Sequence, residues 1–124
     1  MKKFLLLAPV LLMTGCASQL TRLSPLEQPR NASGQYPVEV QFNSNQESLL
    51  WDTIKPYVQV DGQSYPLRPE PMLKNRWEGY VPVPPDANET AFRFKFDYLY
   101  NAFGSQPQPG SAWSPKYILK IIGP

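Results

Sequence analysis

The sequence predicts an all-β fold, an antiparallel sandwich of about six or seven short strands behind a removable leader and a flexible tether. Three observations carry that expectation. Several segments alternate apolar and polar residues with period two, turn residues separate them, and no segment keeps a long helical period.

The first residues stand outside the fold. Lys2 and Lys3 begin a positive segment, Phe4 to Met13 are apolar except for Pro9, and the small residues Thr14 and Gly15 precede Cys16. That order describes a secretory signal. The apolar run is shorter than the roughly 20 residues a spanning helix needs. Leu12-Met13-Thr14-Gly15-Cys16 resembles the lipobox of bacterial lipoproteins, with Met13 where Leu is commonest. The resemblance implies cleavage before Cys16, a thioether-linked diacylglycerol on its sulfur and acylation of the new amine. Two or three chains hold firmly, since each buried methylene contributes about 0.8 kcal/mol. Ala17 stands where members kept at the inner membrane carry Asp, which implies sorting to the outer membrane, periplasm-facing or surface-exposed.

Residues 16–35 read as the lipidated N-terminus and its tether. Polar and small residues dominate, and Pro25 and Pro29 block a regular helix. Such a tether would reach roughly 60 Å when extended. Leu20, Leu23 and Leu26 leave open an edge strand within it.

The domain proper is expected over 36–124. Val38, Val40 and Phe42 alternate with Glu39 and Gln41 as a half-buried strand. Ser44 and Glu47 fit a capping box, so a short helical turn through Leu49, Leu50 and Trp51 competes with a strand there. Tyr57 to Val60 and Ser64 to Leu67 flank Asp61-Gly62, a hairpin signal because both residues accept positive φ. Pro66 puts the second arm at an edge, protected from pairing with another chain. Trp77, Gly79, Val81 and Val83 share one face of the next strand, which the turn Pro84-Pro85-Asp86 ends. From Ala91 to Asn101 the alternation is near perfect. Phe92, Phe94, Phe96, Tyr98 and Tyr100 line one face; Arg93, Lys95 and Asp97 line the other. Tyr117, Leu119 and Ile121 mark the last strand.

Trp77-Glu78-Gly79-Tyr80-Val81-Pro82 and Phe92-Arg93-Phe94-Lys95-Phe96, in that order around a proline turn, resemble the cysteine-free Ig-like domains of the early-set kind. Those domains accompany sugar-processing enzymes. The resemblance covers residues 36–122 in pattern and these two strands in detail. The alternation itself leaves Ig-like and transthyretin-like topologies both open.

Composition narrows the function classes. Of 12 basic residues two leave with the leader, so 10 face 10 acidic ones and the exported part is neutral. Nucleic acid is not an expected partner of such a surface. Histidine is absent and the single cysteine is Cys16. Ser-His-Asp and Cys-His catalysis and the usual zinc sites therefore lack their residues, and neither an enzyme nor a cofactor is expected. Asp52, Asp61, Glu78 and Asp97 could pair as glycosidases require. Turn geometry and surface pairing with Arg93 or Lys95 account for them more simply.

Trp77 and the Phe92–Tyr100 row are expected to fill the core. The segment 101–115, read as a long loop, holds the binding candidates: Trp113, with Phe103 and Tyr100 towards its other end. Phe103 and Trp113 could equally staple that loop shut. The expected function is a membrane-anchored, non-enzymatic module for an envelope protein partner. The alternative is a carbohydrate- or peptidoglycan-binding module that uses loop and surface aromatics.

Overall fold

The computed structural model describes residues 18–101 and 106–124, so Cys16 and Phe103 lie outside the described residues. Ten strands follow one another: β1 (Ser18–Arg22), β2 (Glu27–Pro29), β3 (Gln35–Ser44), β4 (Leu49–Val60), β5 (Gln63–Pro66), β6 (Arg68–Pro69), β7 (Arg76–Pro82), β8 (Glu89–Asn101), β9 (Pro107–Trp113) and β10 (Tyr117–Ile122). The first sheet has the order β1-β3-β7-β6 and the second β2-β10-β8-β4-β5, with β9 paired to β8. Taking β1, β3, β7 and β6 as A, B, E and D, and β4, β8 and β10 as C, F and G, gives the Ig strand order. The topology is therefore Ig-type. The chain begins β1 and ends β3 at what we term the Ser18 end; the β4–β5 turn marks the opposite, Asp61 end.

Period-two alternation builds the core as expected. Val38, Val40 and Phe42 face inwards from β3, Val81 from β7, Val58 and Val60 from β4, Phe92, Phe94 and Phe96 from β8, and Leu119 and Ile121 from β10. Each such side chain contributes about 1.5–3 kcal/mol on burial. Where Ig domains proper join B to F by a disulfide, the Phe42 and Phe96 rings meet at 5.1 Å. Asp61 and Gly62 take φ of 52° and 80°, and Val60 pairs with Gln63, which makes the expected two-residue hairpin. At Gly79 a Cβ would lie 2.5 Å from Leu67 Cδ2, so a larger residue there would push the buried Leu67 side chain aside.

Three expectations need correction. First, residues 18–35 are part of the sandwich and not a tether. Leu20 is buried opposite Phe42, and Gln28 donates from Nε2 to the Pro25 and Pro37 carbonyls at 3.2 and 2.8 Å. Ser24 Oγ accepts the Glu39 N–H at 3.1 Å, and β2 runs parallel to β10. Arg30 then reaches the carbonyls of Gly123, Pro85 and Ala87 and Oδ1 of Asn88 at 2.7–3.1 Å. The two prolines forbid a helix but are compatible with edge strands and with the crossing between sheets. The strand total exceeds the expected one for the same reason, together with the two-residue β6 and with β9.

Second, no helical turn follows Ser44. Its Oγ accepts the Gln46 N–H at 3.1 Å, as a cap would, but Leu49 and Leu50 are drawn into the ladder opposite Tyr100 and Leu99. Third, residues 107–113 are not loop: they pair with β8 from Asn101↔Pro107 to Lys95↔Trp113. Pro107 and Pro109 occupy alternate positions whose nitrogens point away from β8, where no donor is demanded.

Both long pairings of β8 are interrupted, and a hydroxyl bridges each gap. Between Trp113 and Tyr117 the β9–β10 side carries one more residue than β8, a bulge. There the buried Ser114 donates its N–H to the Phe94 carbonyl at 3.0 Å, while its Oγ accepts the Phe94 N–H at 2.8 Å. In β4, residues 51–54 face the single residue Tyr98. Thr53 Oγ1 accepts the Leu99 N–H at 2.8 Å and donates to the Leu50 carbonyl at 2.6 Å.

Removing the Ser114 hydroxyl strands the buried Phe94 N–H. Ser114→Ala should lower unfolding free energy by about 1–3 kcal/mol, whereas Ser114→Thr should keep most of it. Urea unfolding of both variants checks this, and an unchanged midpoint for the alanine variant contradicts the bridge.

Candidate interaction surface

The bulge at Ser114 decides which way Trp113 points. On β9 the even-numbered Ala112 faces the core, whereas on β10 the odd-numbered Tyr117, Leu119 and Ile121 do. A strand that kept strict alternation from 121 back to 113 would bury Trp113. The extra residue reverses the parity and turns the indole out of the sandwich. Trp113 is 47% exposed.

The outer face of the second sheet then carries a grid of side chains set by register. One row runs Trp113, Lys95, Tyr57, Pro66 across β9, β8, β4 and β5. Beside it lies Arg93, Gln59, Ser64, joined by hydrogen bonds from Arg93 Nε to Gln59 Oε1 at 3.4 Å and from Gln59 Nε2 to Ser64 Oγ at 3.1 Å. On the other side lies Ser111, Asp97, Lys55, in which Ser111 donates to Asp97 at 2.8 Å. The Arg93 guanidinium stands 4.2 Å from the Trp113 ring centre and Lys95 Nζ 5.1 Å from it. A cation over an indole is the strongest of the cation–π arrangements. Lys95 also lies 3.6 Å from Asp97.

The three binding candidates are not brought together. Trp113 lies in a strand and not a loop, and it is turned outwards. Tyr100 is half-buried on the core side of β8, opposite Leu49 and Gln108. It stands five positions from Lys95, about 17 Å along the strand. Around Trp113 the structure gathers Arg93, Lys95, Tyr57 and Gln59 instead. Alternation places Arg93 and Lys95 outwards, but only cross-strand register gathers them around Trp113.

No protein family, curated protein or solved structure matches this chain.

The carboxylates occupy ordinary positions. Asp61 forms its turn. Glu78 pairs with Arg68 at 3.1 Å on the first sheet, and not with Arg93 or Lys95. Asp97 is held by Ser111 and Lys95. Asp52 and Asp97 both border an open depression of about 670 Å³ beside the β4 bulge, with Lys55, Tyr57 and Ser111. Among the described residues no group of three His, Cys, Asp or Glu is placed to hold a metal ion.

One carboxyl is perturbed. Glu70, in the β6–β7 loop, has its pKa raised above 4.5 by a hydrogen bond with Glu39, then by burial and the Glu39 charge; Arg76 opposes them. The folded state thus holds the Glu70 proton more tightly than the unfolded chain does. The associated stability is complete in acid and is lost as pH rises through the raised value. Glu70→Gln should therefore flatten the decline in melting temperature from pH 4.5 upwards; a variant curve parallel to the parent's refutes this.

Proposed function

We propose that the chain is an outer-membrane-anchored, non-enzymatic interaction module that offers the outer face of its second sheet to an envelope protein. The anchor follows from the lipobox-like run ending at Cys16. The recognition surface rests on a single arrangement: a half-exposed Trp113 with the Arg93 and Lys95 cations over its ring. Tryptophan and arginine dominate the energetics of protein interfaces. A side chain already held in place by its neighbours loses little freedom on binding. The grid also offers charges of both signs and amide groups around that aromatic centre, the pattern of an apolar anchor with a polar rim.

The same arrangement weighs against the glycan alternative. A sugar ring stacks on an uncovered aromatic face, and the Arg93 guanidinium lies over this one at 4.2 Å. Arg93 would have to swing away before a pyranose could occupy that face.

Affinity capture with the full acylated chain from detergent-solubilised envelopes tests the reading. A protein should co-purify, and Trp113→Ala should weaken its capture by roughly 30-fold, the factor matching a hot spot of about 2 kcal/mol. Arg93→Ala should weaken it too, with the melting temperature of both variants close to the parent's. Capture unaffected by either substitution defeats this surface. Peptidoglycan binding lost in the Trp113 variant would transfer the role to the glycan reading.

A further inference from the structure

The Ser18 end of the sandwich differs from the Asp61 end in what it exposes. β1 begins at Ser18, opposite Ser44, the last residue of β3. Cys16 is two residues earlier in the chain, so its Cα lies within about 7 Å of that of Ser18. At the same end, loop 70–75 joins β6 to β7. It is held by hydrogen bonds from Leu73 N–H to the Glu70 carbonyl at 3.4 Å, from Glu70 N–H to the Arg76 carbonyl at 2.9 Å and from Phe42 N–H to the Asn75 carbonyl at 2.9 Å. The loop presents Met72, 99% exposed, and Leu73, 44% exposed. Met72 also holds φ at 67°, a left-handed conformation that side-chain-bearing residues seldom adopt. A strained and wholly exposed methionine adds nothing to the core. Strain of this kind is characteristic of functional surfaces.

A third apolar group joins them. Trp51 emerges from the β4 bulge, 44% exposed, with its ring 5.7 Å from that of Phe42. Lys74 adjoins Leu73, and Glu47 and Asp52 are exposed at this end. Glu70 is turned towards Glu39 and Arg76. The turns of the Asp61 end, Asn31 to Gly34, Asp61-Gly62 and Pro84 to Asn88, expose no large apolar side chain; Ile122, 51% exposed there, stands at the end of β10 and not on a turn.

We propose that the Ser18 end is seated on the lipid bilayer, with Met72, Leu73 and Trp51 at the boundary between headgroups and acyl chains. The proposal rests on the reading of Cys16 as the acylated residue. An acyl anchor two residues before Ser18 leaves no room for the sandwich to stand clear of the membrane, so this end meets lipid. Tryptophan and lysine suit that boundary, Trp for its amphipathic ring and Lys for its phosphate-seeking head. Glu47 and Asp52 confine the seat to shallow depth. The strands then stand away from the membrane plane, and the Trp113 grid faces sideways along it.

The full chain, matured with its lipid and reconstituted in phosphatidylethanolamine–phosphatidylglycerol vesicles, provides the test. Nitroxide labels are placed through Met72→Cys in one protein and Gln63→Cys in another. Collision with oxygen should dominate at 72 and collision with an aqueous nickel chelate at 63, each by severalfold. Brominated lipid should quench tryptophan emission in the unlabelled protein, and Trp51→Phe, but not Trp113→Phe, should abolish most of that quenching. This second measurement stands if the labelled variant fails to fold. An intact mass without acyl chains overturns the Cys16 reading, and this proposal with it. An acylated mass with a water-accessible label at 72 and unquenched Trp51 overturns the seating alone. Shielding at 72 from both reagents, with spin–spin broadening, assigns the patch to a second copy and likewise overturns it.

Discussion

Phe42 is the side chain on which the two sheets close. It is fully buried on β3, and its ring lies within 5.1–6.5 Å of Trp51, Trp77, Phe96 and Tyr98, drawn from β4, β7 and β8. Aromatic contacts at these distances add about 0.5–1.5 kcal/mol each beyond the area they bury. A chain with a single cysteine has no internal disulfide with which to staple B to F. Ring packing at the equivalent place performs that task. The consequences reach outwards from there. The backbone of Phe42 fixes Asn75 and hence loop 70–75, its register places Leu20 and β1, and its ring supports Trp51.

The second sheet depends on a device of another kind. A long β8 must pair on both sides with strands that contain extra residues, and extra residues leave backbone donors without partners. Serine and threonine resolve this, since one hydroxyl both accepts the orphaned N–H and donates onward. Ser114 and Thr53 do so on opposite flanks of β8. Gly110 completes the fit beneath Tyr98, where a Cβ would approach the ring to 2.7 Å. Continuity of the sheet and the outward turn of Trp113 are therefore products of one arrangement.

Local pattern carried much of this fold and little of the candidate surface. The alternation in Val38–Phe42 and Phe92–Tyr100 and the Asp61-Gly62 turn reported their own geometry, because period and φ preference are properties of adjacent residues. Residues 18–35 resemble a tether in sequence because their partners, β3 and β10, are distant along the chain, and proline-rich polar segments look alike whether solvated or held at a sheet edge. Trp113 resembles a loop residue in sequence because a bulge breaks the alternation that announces a strand. The grouping of Arg93, Lys95 and Tyr57 around it depends on register between strands some 40 residues apart. No local pattern encodes that quantity.

The pairing of β1 with β3 has a mechanical side. Ser18 to Arg22 lie antiparallel to Val40 to Ser44, with Ser18 at the start of β1. Tension drawn through the N-terminus against a load borne by the far end of the sandwich acts parallel to β1. All its ladder bonds are then sheared together, whereas a pull across the strand would open them one after another. Leu20, sunk opposite Phe42, must be dragged out of the core in the same step. A domain pulled through β1 in this way resists traction as a unit.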